Sequence, residues 1–172
     1  MPAEISGYLT VNRGINANET YHMVERYDQA VLALKPDKVF IFGGISDILN
    51  TYHDHPAGLD SQLVKTTANL KLMVSRAEQA GIKPIICTVA PVAAKYYMPA
   101  SAINPAVEKL NVSIKDMAAR EQVQYLDLWS VLADPQTHLL RDEYATPDGL
   151  HFTNQAYDVI LKAVTGALSE QS

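Results

Sequence analysis

Asp148 and His151 stand three residues apart in the stretch Asp148-Gly-Leu-His151. That spacing lets both side chains project from one side of a turn. A carboxylate there can accept from one imidazole nitrogen, which fixes the tautomer and raises basicity. The other nitrogen is then free to act as a general base. The same pattern also suits a loop aspartate and a surface histidine near a helix start. Two glycine-bearing turns offer a second kind of chemistry, Asn12-Arg-Gly14 and Gly43-Gly-Ile-Ser-Asp47. A glycine just after a strand lets a backbone N–H face outward at close range, as stabilising an oxyanion requires. Each is equally an ordinary strand-to-helix turn.

The remaining reactive side chains carry less. His53-Asp-His55 has the look of a metal pair but lacks a third ligand nearby, so a solvated loop is the favoured reading. Cys87 is the single cysteine, which excludes an internal disulfide and a multi-cysteine metal site. It sits inside an apolar strand pattern and reads as inert core. The stretch from Ala90 to Ile103 carries Tyr96, Tyr97 and Met98 between Pro91 and Pro99. Such a loop can line an acyl or leaving-group pocket, or simply cover the core. Trp129 reads as packing beside Leu128, and His22 and His138 have no partner identifiable from the sequence.

These residues need elements to position them. Tyr8 to Asn12 is a short β-prone run. Asn16, with Glu19 three residues later, reads as a helix N-cap. Met23, Tyr27, Val31 and Leu34 then recur on one helical face until Lys35-Pro36-Asp37. Val39 to Phe42 is a continuous apolar run, as suits a strand buried on both faces. Leu63, Thr67, Leu70, Val74 and Ala77 mark a second helix, closed by Gly81, and Lys83 to Val89 a further strand. Asn104-Pro105 predicts an N-cap with proline in the first helical position, ahead of Val107, Leu110, Ile114 and Met117. Val123 to Leu128 is the next strand. Asn154 opens a last helix with Tyr157, Ile160, Leu161, Val164 and Leu168 on one face. Strand and helix in alternation predict an α/β fold, a mostly parallel sheet with helices on both faces. Function in such sheets sits beyond the carboxyl ends of the strands.

Composition narrows the classes. The 172 residues form one domain by size, large enough for a core, with 48% apolar and 19% charged residues. A net charge of −5 with no basic run argues against nucleic-acid binding. No apolar run approaches the roughly 18 residues needed to span a membrane. No signal peptide opens the chain, so the cytoplasm is the default location, although a leader could precede an incomplete N-terminus.

Taken in order, three segments resemble blocks of the SGNH (GDSL) esterase and lipase family. Asn12-Arg-Gly14-Ile-Asn16 is similar to its second block. Pro36-Asp37 through Gly44-Ile-Ser-Asp47 is similar to its third. Asp148-Gly-Leu-His151-Phe-Thr is similar to its fifth, with Tyr157 also fitting. The resemblance implies a flavodoxin-like three-layer αβα sandwich. It implies hydrolysis of a small acyl or acetyl ester through a serine acyl-enzyme, with no metal or organic cofactor. His151 would be the base, Asp148 its orienting partner and Gly14 a backbone oxyanion donor. Ser46 stands where the family usually has an asparagine donor. Loss of one such donor typically costs roughly 10²–10³ in rate.

A larger departure lies at the front, where the family's first strand and Gly-Asp-Ser block have no counterpart. Ser6 follows no apolar run and does not read as the nucleophile. The expectation is therefore an N-terminally incomplete domain over residues 1–172, its nucleophile absent and its isolated activity slight. A non-catalytic domain of the same fold, binding a ligand or partner, is the alternative. A nucleotide or flavin binder would need a Gly-rich phosphate loop, which the sequence lacks. With the flavodoxin-like order 2-1-3-4-5, Tyr8–Asn12 would be strand 2, Val39–Phe42 strand 3, and a slot would lie between them. Three outcomes would resolve the slot: direct pairing of the two strands, a strand from a second copy in a homo-oligomer, or an unstable chain with open edges.

Overall fold

The computed structural model describes residues 4, 5 and 7–169, so Ser6 lies outside the described residues. At the start, β1 (Glu4–Ile5) and β2 (Tyr8–Leu9) pair as an antiparallel hairpin, with Gly7 at a φ of +83°. Tyr8–Asn12 is thus not a strand of the main sheet. Leu9 is 88% exposed and Val11 59%. Too little of the run is buried to reward a place in the sheet, and its short strand pairs locally instead.

Next come α1 (Thr20–Ala30), a 3₁₀ turn (Leu32–Leu34) and β3 (Lys38–Ile41). Helix α1 begins four residues after the expected cap at Asn16, because Ala17 adopts a left-handed conformation and the cap position is Glu19. A helix the periodicity missed, α2 (Ile45–Asp54), follows directly, with His53 in its last turn. The expected loop at His53–His55 is therefore in part helical. Next are α3 (Leu59–Gln79), β4 (Lys83–Cys87), α4 (Ala100–Glu121), β5 (Gln124–Leu126), α5 (Leu128–Leu132) and α6 (Asn154–Ser169).

The strands form a parallel sheet in the order β3-β4-β5, with Ile41 beside Ile86 and Cys87 beside Leu126. Alternation along β4 splits the core between its two faces. Ile86 joins Ile41, the α3 residues Leu70, Met73 and Val74, and Val107, Leu110 and Ile114 of α4. Ile85 and Cys87 join Leu126, Leu132 of α5, and Ile160 and Val164 of α6. Both faces are covered, as a parallel sheet requires. Among the described residues β3 has β4 as its single strand partner.

Helix α4 starts at Ala100, not at Asn104. Proline in its second turn forfeits a single helical hydrogen bond, that to Ser101, where the helix is barely under way. Asn104, freed from capping, is buried and turned to another use.

Candidate active site

The loop ahead of α6 is built by local turn chemistry. Thr146-Pro-Asp-Gly149 is a β-turn with proline at its second position, closed by the Gly149 N–H donating to the Thr146 carbonyl at 2.9 Å. Gly149 has a φ of +77°, and a Cβ there would lie 2.6 Å from the Tyr96 nitrogen, so only glycine fits. An antiparallel bridge between Ala145 and Phe152 closes the loop's base, and the Thr146 N–H donates to the His151 carbonyl at 2.9 Å.

This turn brings Asp148 and His151 together. The Asp148 Oδ2 lies 2.7 Å from the His151 Nδ1. Its Oδ1 accepts from the Leu150 N–H at 2.8 Å, the His151 N–H at 3.0 Å and the Thr146 hydroxyl at 2.8 Å. The two backbone donors first, then the imidazole and the hydroxyl, hold the Asp148 carboxyl well below the usual carboxylate range. An ionised carboxylate only accepts, so Nδ1 carries the hydrogen, and in the neutral ring the lone pair is then on Nε2. Nε2 has no hydrogen-bond partner among the described residues, and the imidazole is 58% exposed. Thr146 was not singled out from the sequence, although Thr-Pro-Asp-Gly is a turn signature that places it beside Asp148.

The turn rests on the loop leaving the carboxyl end of β4, where the Ala93 N–H donates to the Gly149 carbonyl at 2.8 Å. Ser46 stands at the same edge of the sheet, half-buried in the first turn of α2 beyond β3. The turn before it uses Gly44 at φ +120°, where a Cβ would meet Leu110 at 2.7 Å. Asp47 beside it is fully buried. It accepts from the Thr20 N–H at 2.9 Å, the Thr20 hydroxyl at 2.6 Å and the Thr66 hydroxyl at 2.9 Å. Asp47 therefore ties the start of α1 to α2 and α3.

Gly14 is placed differently. The Arg13 Nε donates to the Ala30 carbonyl at 2.9 Å, and the Arg26 guanidinium to the Arg13 carbonyl at 2.8 Å. These bonds tether Gly14 to the half of α1 remote from Asp47. Its N–H donates to the Asn12 Oδ1 at 2.9 Å. No hydrogen bond among the described residues joins Gly14 or Ser46 to the Asp148–His151 pair.

In the loop from Ala90 to Ile103, Tyr96 is 8% exposed and Tyr97 77%. Burial first, then the hydrogen bond and charge of Tyr97 and the charge of Asp148, push the Tyr96 hydroxyl up. The Cys87 thiol is pushed up to about 12 by burial, consistent with an inert core residue. His53 pairs with Asp54 at 2.7 Å on the surface, and no group of three His, Cys, Asp or Glu among the described residues could hold a metal. His138 does have a partner, Glu108, at 2.6 Å. Surface depressions of about 450 Å³, beside Glu19 and His55, and about 610 Å³, beside Asp134 and Arg141, are lined by neither Asp148 nor His151. The dyad's own chemistry outweighs their size. Among the described residues no helix is long and apolar enough to cross a membrane.

The sequence model of the GDSL-like Lipase/Acylhydrolase family matches residues 2–159. No curated protein matches the sequence. Among solved structures, a GDSL-like lipase from Bacteroides thetaiotaomicron is similar, with 22% identity and a TM-score of 0.79 over 92% of this chain and 75% of that one. An acetylxylan esterase from Geobacillus stearothermophilus has 19% identity and a TM-score of 0.73 over 92% and 71%. At these identities the likeness is one of fold: a parallel sheet with helices on both sides.

Proposed function

Because the chain belongs to the GDSL-like lipase/acylhydrolase family, we propose that residues 1–172 are part of a single carboxylic ester hydrolase domain acting on a small acyl or acetyl ester. The observation that carries the reading is the 2.7 Å contact between Asp148 and the His151 Nδ1, with Nε2 unpartnered among the described residues. In the reaction a serine hydroxyl attacks the ester carbonyl as Nε2 takes its proton. The imidazolium, steadied by Asp148, returns that proton to the leaving alcohol. The neutral imidazole then deprotonates water, whose attack on the acyl-enzyme releases the acid as Nε2 returns the proton to the serine. Ser46 is the proposed side-chain donor to the oxyanion. Gly14 is the proposed backbone donor, a role that requires its segment to leave the Arg13 and Arg26 bonds that hold it against the far half of α1. Its bond to Asn12 is exposed and worth about 1 kcal/mol net, so an oxyanion can displace it.

No serine hydroxyl among the described residues hydrogen-bonds to His151, and the proposal assigns the nucleophile to none of the 172 residues. The chain should therefore hydrolyse p-nitrophenyl acetate only at a residual rate. His151→Ala should lower that rate little further, because members of such a unit act together. Robust turnover that His151→Ala abolishes would mean that a serine in this chain is the nucleophile, and Ser6→Ala and Ser46→Ala would identify it. Robust turnover indifferent to His151→Ala would overturn the role of the dyad. The occupied Gly14 N–H and the serine at position 46 favour one second reading, a non-catalytic binding domain of the same fold. Retention of both dyad members weighs against it.

A further inference from the structure

Two buried asparagines on α4 grip the loop that carries the dyad's support. Asn104 is 4% exposed and Asn111 5%. Asn111 accepts from the Val89 N–H at 2.7 Å and donates to the Val89 carbonyl at 2.8 Å. Asn104 does the same to Val92, at 2.9 and 3.1 Å, and its amide also donates to the His138 carbonyl at 3.0 Å. Each side chain thus pairs with one residue as a neighbouring strand would. Seven residues of helix rise about 10.5 Å, and three residues of extended chain span about 10 Å. The helical spacing of the asparagines therefore matches the spacing of Val89 and Val92. Past the end of β4, where strand pairing has ceased, α4 supplies the missing partners.

The two grips differ in what lies next to them. Val92 adjoins Ala93, whose N–H holds the Gly149 carbonyl inside the Asp148–His151 turn. The Val92 carbonyl also accepts from the Leu140 N–H at 3.2 Å, on the segment leading into that turn. Val89 lies three residues further back. We propose that Asn104 is a positioning residue for the dyad, holding the Ala93–Gly149 bond in register so that Asp148 meets the His151 Nδ1. Asn111 holds the loop's root and leaves the dyad alone. The assignment rests on the dyad of the proposed ester hydrolase but concerns its geometry, so its test does not depend on turnover.

The test is the tautomer of His151 in the 172-residue chain, read from two-bond ¹H–¹⁵N spectra at pH 8.5, with His151→Gln to assign the signal. The native chain should show the Nδ1–H form. Asn104→Ala should move His151 to the Nε2–H form that free imidazole prefers, and amide exchange at Ala93 should quicken about tenfold. Asn111→Ala, an equal truncation on the same helix, should change neither. Should Asn104→Ala not fold, Asn104→Asp keeps the acceptor for Val92 and removes both donors, and it should give the same tautomer change. Overturning results are a tautomer change in both series, a change in neither, or Asn104 variants that all unfold while Asn111→Ala folds. The last would make Asn104 a residue of the fold rather than of the site.

Discussion

The His151 ring owes its orientation to an aspartate that makes four contacts at once. Two of those are to backbone N–H groups of the same turn, so Asp148 is fixed before it fixes His151. The opposite case is Tyr27. It is 4% exposed, its hydroxyl has no hydrogen-bond partner among the described residues, and burial pushes it up to about 12. A buried hydroxyl without a partner costs stability, and removing it while keeping the ring relieves that cost. Tyr27→Phe should therefore leave the urea midpoint unchanged or raise stability by up to about 1 kcal/mol. A loss of more than that would mean the hydroxyl is bonded.

Between elements, the main polar joint is Asp47. Its position in the first turn of α2 favours a carboxylate, but its burial is tolerable only because Thr20, Thr66 and Gln62 surround it with donors. Asp47→Ala would strand two hydroxyls and a backbone N–H in the interior. The expected loss is about 3–5 kcal/mol, from buried donors left unpaired at roughly 1–3 kcal/mol each, and Asp47→Asn should lose less. For a chain of this length that is a fall in melting temperature of roughly 6–20 °C. Thermal unfolding reads it directly, and a change under 1 kcal/mol would remove Asp47 from its place as the clasp of α1 to α2 and α3. Because α2 also carries Ser46, loosening the clasp would move a proposed oxyanion donor as well.

Across the described residues, Asp148, Asp127 and Asp134 are carboxylates held low, and so link stability to pH. Asp148 is held low by the donors named above. Burial alone would raise Asp127, but the Lys115 ammonium at 2.6 Å, the hydroxyl and N–H of Ser130 and the Thr88 hydroxyl together hold it low. A carboxyl lower in the folded than in the unfolded chain binds its proton first when unfolded. The stabilisation is complete above the ordinary carboxylate range and is lost as pH falls through it toward the folded values. The urea midpoint should thus drop steadily from about pH 5 downward. Asp148→Asn and Asp127→Asn should each flatten that slope. A midpoint that rises on acidification would contradict these assignments.

Much of this architecture was legible in the chain. The runs at Val39, Lys83 and Val123 became the three parallel strands, because short β-prone runs set between helical periods suit strands covered on both faces. The Asp148–His151 pair was legible for a local reason: Thr-Pro-Asp-Gly dictates its own turn, and the turn dictates the contact. What failed was reading that depended on neighbours. Tyr8–Asn12 had strand propensity, but whether a run joins a sheet depends on what lies beside it. Asn104 had the look of an N-cap, yet the same amide is worth more clasping Val92, a partner twelve residues away that no local pattern announces. Asp47 and α2 were hidden likewise, since a buried carboxylate is explained only by the donors that two other helices bring to it. Local turn chemistry and hydrophobic period are written in consecutive residues, whereas the pairing of buried polar groups is settled only when distant segments meet.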